Sequence, residues 1–201
     1  MTSVRPGRRG RRPGSPDTRA AILAAARERF AEVGYAGTTI RAVAAAAGVD
    51  GALVHHYYGS KDDLFLAALE LPVDPREVLA EAVVSGDRDD AGERLVRTFL
   101  AVWDDPDNQP ALIALVRRVL EPGGEPLLRD GFLPVVLVPI GERLGIDRPE
   151  LRMPLLASQV LGLITLRYLV VVEPLASMDA DALVAAYAPV VQRYLTGPLP
   201  G

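Results

Sequence analysis

The sequence predicts an all-helical chain: a small N-terminal unit of short helices, then a longer helical body. Two observations carry that prediction. About half of the 201 residues are apolar while only 5% are aromatic, and few runs alternate apolar with polar residues as half-buried strands do. Apolar residues instead recur at three- and four-residue spacing, punctuated by helix start and stop signals.

The elements follow in order. Residues 1–15 are rich in Arg, Gly and Pro, with almost nothing to bury, and are expected to form a disordered basic arm. Ser15 reads as an N-cap with Pro16 at the first helical position. Ile22, Ala26, Phe30 and Val33 then share one helix face, and Gly34 is the expected stop. A second helix follows Thr38 and Thr39, with Ile40, Val43, Ala44 and Ala47 inward, and ends at Gly48. Asp50 caps a short third helix over 51–57. Gly59 breaks it, and Ser60 with Asp63 makes a capping-box pattern for a fourth helix carrying Leu64, Phe65, Ala68 and Leu69. Further helices are expected near 75–85, 91–104, 108–121, 126–144, 149–172 and 179–195. Pro134, Pro139, Pro154 and Pro189 fall inside these patterns and are expected to kink them or to mark helix boundaries that lie elsewhere. No internal repeat is seen.

Composition narrows the chemistry. With no cysteine, disulfides, thiolate metal sites and cysteine nucleophiles are excluded. The opening MTSVRPGRRG lacks the apolar core of a signal peptide. The most apolar stretch, 154–172, is interrupted by Gln159 and Arg167, so a buried helix is expected rather than a membrane span. No membrane role is implied, and residence in the cytoplasm is the expectation. The net charge of −4 hides an asymmetry: residues 1–61 carry ten basic and four acidic side chains, residues 62–201 twelve and twenty-two. A basic first third on an acidic body fits a polyanionic partner, or a tail that aids solubility.

Two short helices joined through Gly48 make a helix-turn-helix candidate at 39–58. In such a unit the second helix enters the major groove. His55, His56 and Tyr57 give the third helix three adjacent hydrogen-bonding side chains. Spacing alone fits equally a polar surface helix of any bundle. The run from Thr18 to Glu70 resembles the DNA-binding domain of the TetR family of bacterial transcriptional regulators. The matching residues are Ile22-Leu23, Ala26, Phe30, Gly34-Tyr35, Thr38-Thr39-Ile40, Ala44, Gly48-Val49, His56-Tyr57-Tyr58, Ser60-Lys61 and Leu64.

The resemblance implies a helix-turn-helix domain at 16–76 and a helical ligand-binding and dimerisation domain at 77–201. Val49, Val54 and Tyr58 match core positions of the motif. Thr39, Tyr57 and Lys61 match positions that touch DNA phosphates; each carries a group able to donate to a phosphate oxygen. Arg41 matches a position able to reach a base. Where the family often has a polar residue and a Gly, this chain has Gly51, Ala52 and Leu53. Readout of bases is therefore expected to lean on Arg41, His55 and His56. The implied partners are double-stranded DNA, a second copy of the chain as a homodimer, and an unidentified small-molecule effector. Segments 126–144 and 149–172 are expected to pair with their symmetry mates. A ligand-independent architectural DNA binder is the competing reading.

Candidate effector-lining residues are Phe99, Val102 and Trp103, then Leu112, Leu115 and Val116, then Leu163, Leu166 and Tyr168; plain core packing accounts for any one of them as well. His55 and His56 are the only histidines, and neighbours on a helix point about 100° apart, a poor chelate. No metal or cofactor is implied. With both histidines in the motif, the body lacks the usual general base, so no enzyme is expected.

Overall fold

The computed structural model describes residues 16–199. The basic arm and the Ser15 cap lie outside the described residues. Within them the chain is helical, without strands. Helices α1 (Pro16–Gly37), α2 (Ile40–Ala47), α3 (Gly51–Tyr58) and α4 (Lys61–Leu69) form the N-terminal unit. The body follows: α5 (Pro75–Val84), α6 (Ala91–Trp103), α7 (Gln109–Leu120), a π-helical stretch Leu127–Leu137 running into α8 (Val138–Arg143), α9 (Pro149–Ile164) with a π-helical turn Thr165–Leu169, and α10 (Ala180–Thr196).

Local chemistry sets the first boundaries. Thr39, Asp50 and Ser60 each accept a backbone N–H of the helix they open, from Ala42, Ala52 and Asp63. Ser60 and Asp63 complete the capping box. Gly48 takes the left-handed conformation (φ 67°) and its N–H reaches back to Ala44 and Ala45, so the chain reverses there without a Cβ clash. Gly34 breaks the helical geometry as expected (φ 70°), yet helical turns resume and carry α1 to Gly37. The hydroxyl of the fully buried Thr38 closes this corner on the Gly34 carbonyl at 2.8 Å.

The main core is an apolar cluster reaching from Ile22 on α1 through Phe65 and Leu100 to Leu195 on α10, so the two units share an interior, and a smaller cluster gathers Trp103, Leu112, Val116 and Ile164. Helix α6 lies tightly against α10. Gly92 permits the approach, because a Cβ there would lie 2.7 Å from both the Ala188 carbonyl and the Gln192 amide. The Gly92 N–H donates to Gln192 Oε1 at 2.7 Å.

Two prolines act otherwise than expected and one apolar segment ends early. Around Pro134, which has no N–H for the carbonyl four residues back, the turns widen, and Val138 N–H reaches Leu133, five residues away. Through Pro154 and Pro189 α9 and α10 run on without a break. The expected helix over 149–172 gives way at Val170, whose amide pairs with Thr165, and Val171 is left-handed (φ 59°). The expected pairing of 126–144 with a symmetry mate meets a different burial pattern: Val135, Val136, Leu137 and Ile140 are already covered inside the protomer. Of the exposed large apolar side chains, Leu151, Leu166, Val170, Val171, Val172 and Val190 lie on α9, α10 and the turn between them, while Val33 on α1 and Leu120 on α7 lie apart.

A polar clasp joins the units. Arg76, at the start of α5, donates to Asp74 at 2.9 Å and to Asp63 at 2.7 Å, so the capping box of α4 is tied to α5. The Ser60 hydroxyl and then Arg76 hold the Asp63 carboxyl below its ordinary value, and Arg76 does the same for Asp74. Depressed folded-state values give stabilisation that is present above the unfolded-state pKa of about 3.9 and lost as pH falls through the lower folded value. Both carboxylates are partly solvated, so the effect is about 1 kcal/mol or less for each. Melting temperatures measured below about pH 4 are therefore expected to fall more steeply for the wild type than for Arg76→Met. Parallel curves would show that the clasp contributes nothing.

Candidate nucleic-acid interface and effector cavity

The helix-turn-helix residues form one face. Thr39 caps α2 and is exposed, and Arg41 is exposed in the first turn of α2. Gly51 and His55 of α3 border the same shallow depression as Arg41, between α2 and α3. Ala52 and His56 are exposed and Leu53 is half-buried. His55 Nδ1–H donates to the Gly59 carbonyl at 2.7 Å, which fixes the ring at the end of α3 and leaves Nε2 as its outward atom. Val54 and Tyr58 point inward, and the Tyr58 hydroxyl donates to the Arg19 carbonyl on α1.

Two predicted phosphate contacts are less open. The Tyr57 hydroxyl is buried and lacks a hydrogen-bond partner. Lys61 opens α4, where the helix dipole favours an anion, and its ammonium lies 4.0 Å from the centre of the Tyr35 ring. The Tyr35 hydroxyl donates to Asp62. Burial lowers the Lys61 ammonium from its ordinary value, against the pull of Asp62. A partly desolvated cation on an aromatic face is restrained in position.

The body contains an apolar cavity of about 220 Å³. Phe99, Val102 and Trp103 of α6 and Leu112, Leu115 and Val116 of α7 line it. Leu163, Leu166 and Tyr168 do not. Leu163 is buried in the main core and Leu166 is 43% exposed. Tyr168 stacks on the outer side of Trp103 and donates to Asp104 at 2.9 Å. Helix α9 reaches the cavity with Met153, Leu156, Val160 and Ile164 instead. The far wall comes from Leu69 and Leu71 at the end of α4, from Leu79 on α5, and from Leu127, Leu128 and Phe132 of the π-helical stretch. Among the described residues no charged side chain lines it, and Thr98 and the Trp103 indole are its polar groups.

The profile of the tetracyclin repressor-like C-terminal domain matches residues 89–195, more than half of the chain, and that of the bacterial regulatory proteins of the tetR family matches 22–68. The chain belongs to the TetR family. A TetR-family regulator of Streptomyces coelicolor A3 has been solved that is 41% identical, with 92% of this chain and 98% of that one covered and a TM-score of 0.51. The transcriptional regulator BetI of Stenotrophomonas maltophilia is 30% identical over 120 residues, which span 51% of this chain and 61% of that one. The transcriptional repressor AcnR of Corynebacterium glutamicum is 43% identical over 51 residues, 25% of this chain and 27% of that one. The matches to these two thus cover less than two thirds of each relative.

Sequence reasoning missed several parts of this TetR-family chain. The Tyr35 platform under Lys61, the Arg76 clasp and the Gly131 contact described below join residues far apart in the chain, and no local signal marks them. The α9 wall had a signal: Met153, Leu156, Val160 and Ile164 are spaced for one helix face. Because α9 is apolar nearly all round, the neighbouring stripe through Leu163 was equally eligible.

Proposed function

We propose that this protein is a DNA-binding transcriptional regulator that acts as a homodimer and represses until a neutral, apolar small molecule fills the cavity. The observation that carries this reading is the cavity itself. It is walled on one side by the end of α4, the helix that follows the helix-turn-helix, and contains no charge to receive an ion. Burying a charged group there would be costly, whereas an apolar occupant gains from every contact. In this reading α9 and α10 join the protomers. Two α3 helices then meet half-sites separated by about 34–36 Å along one face of a near-palindrome. The ligand releases DNA by binding the released state better, and DNA weakens the ligand by the same factor. Such a regulator works in the cytoplasm, where its DNA is. Repression is favoured by the repressor named among its relatives.

Selection of bound sequences from a random DNA pool tests the first part. An enriched inverted repeat is expected; binding with little sequence preference would favour an architectural protein. Trp103 is the single tryptophan and stands on the cavity wall, so its fluorescence tests the second part. Titration with 1-decanol is expected to give a saturable change and to release the selected duplex, while decanoate and decyltrimethylammonium bind at least about tenfold more weakly. Tighter binding of either ion would contradict the neutral-ligand assignment.

Positioning and reading contacts separate by mutation. Lys61→Ala is expected to weaken binding to all duplexes alike and to lower the salt slope by about 1. Arg41→Ala is expected to relax preference at one base pair per half-site, at about 1–3 kcal/mol. A uniform loss for Arg41→Ala would place it on a phosphate.

A further inference from the structure

Gly131, in the middle of the π-helical stretch, packs against the ring of Phe65 on α4. A Cβ on Gly131 would overlap the ring's outer edge. Phe65 is 1% exposed and closely surrounded. Its ring meets Phe30 edge-on at 5.2 Å on one side and Tyr35 edge-on at 5.2 Å on another. Tyr35 is the ring that carries the Lys61 ammonium. The stretch that holds Gly131 also sends Leu127, Leu128 and Phe132 into the cavity wall. One short segment therefore touches the cavity on one side and the aromatic support of Lys61 on the other.

We infer that the Phe65–Gly131 contact positions Lys61, through Tyr35, for its phosphate, so that displacement of the π-helical stretch is felt at the DNA face. The inference rests on the reading of Lys61 as a phosphate contact. Three features suit the contact to this role. Glycine lets the ring seat directly on backbone, where a small shift of the stretch moves the ring by a similar amount. The π-helical geometry around Pro134 is rarer than an α-helix and is found most often at functional sites. A cleft of about 500 Å³ beside the contact, bordered by Phe30, Phe65, Leu127 and Asp130, leaves room for the ring to move.

The test is a double-mutant cycle on the full chain and the duplex obtained by selection, with affinities measured across a salt series. Gly131→Ala is expected to lose about the same factor in affinity as Lys61→Ala. It should also lose about 0.9 from the salt slope for each phosphate contact released. Lys61→Ala added to Gly131→Ala is expected to cost less than about twofold more, where independent sites would multiply. Phe65→Leu added to Gly131→Ala makes room for the new methyl and is expected to restore the melting temperature but not the affinity, because the ring that supports Tyr35 is gone. A merely structural role for Gly131 would lower melting temperature without changing the salt slope. If Gly131→Ala does not fold, the cycle is run with Phe65→Leu alone, which withdraws the ring from Tyr35 and should shrink the cost of Lys61→Ala. An equal cost of Lys61→Ala in every background overturns the proposal, as does wild-type affinity in Gly131→Ala. Wild-type protein that binds no duplex in selection sinks the DNA-binding reading itself, and this contact's role with it. A Lys61→Ala without effect on the wild type removes only the phosphate assignment and the inference built on it.

Discussion

Alanine at Arg152 is expected to lower the unfolding free energy by about 3–5 kcal/mol, a large share of a typical domain's 5–15. Arg152 is 4% exposed. Its guanidinium donates to the carbonyls of Asp147, Tyr194 and Gly197 at 2.9–3.0 Å and to the Asp147 carboxylate at 3.1 Å. It thereby satisfies orphan carbonyls at the C-terminal end of α10 and places a positive charge where the helix dipole favours one. Substituting methionine is expected to cost nearly as much. A hydrophobic residue can replace a buried ion pair, but here most of the acceptors are backbone carbonyls that remain buried. The measurement is the midpoint of urea unfolding with an unchanged slope. A loss below about 1 kcal/mol for Arg152→Ala would mean that water replaces the guanidinium at these carbonyls.

Glutamate at Val190 is expected to yield a monomer with operator affinity lower by about 10²–10⁴, the gain that linking two binding modules confers. Val190 on α10 is 38% exposed, Leu151 and Leu166 near α9 are 41% and 43% exposed, and Val170 and Val171 are each 60% exposed. Between them α10 presents Ala182, Ala185, Ala186 and Pro189. This smooth, mostly apolar face suits close packing of two helices against their symmetry mates in a four-helix arrangement. Sedimentation of Val190→Glu as a dimer, with operator binding intact, would move the interface elsewhere. Glutamate at the exposed Ala45, on the opposite unit, serves as a control that leaves the oligomeric state unchanged.

What could be read from the sequence was local. Thr39, Asp50 and the Ser60–Asp63 box announced three helix starts because a cap acts over three residues. Gly48 announced the turn because a left-handed residue at a helix end favours glycine. The six cavity residues on α6 and α7 lay on faces whose opposite sides are polar. Helix α9 offered no such contrast, and choosing Leu163 over Ile164 turned the selected stripe by about 100°. The widened turns at Leu127–Leu137 escaped because an α-helical period was imposed on a stretch that proline forces out of it. Arg152 escaped for a different reason: a lone arginine in a helix reads as surface, and besides the nearby Asp147 the carbonyls it binds, those of Tyr194 and Gly197, arrive from 42 and 45 residues away.

The character of the cavity wall limits how finely this regulator can tell one molecule from another. A wall of Leu, Val, Ile, Met and Phe side chains, with the Thr98 hydroxyl and the Trp103 indole as its polar groups among the described residues, offers few directional bonds. It discriminates by bulk, at about 1–3 kcal/mol for each methylene too few, and only weakly rejects a molecule that merely adds a hydroxyl. Under the function proposed above, the signal it reports is a family of compounds graded by size and oiliness rather than one metabolite. Across such a homologous series the concentration needed for half-release should shift by about tenfold or more for each carbon, up to the length at which the cavity is full.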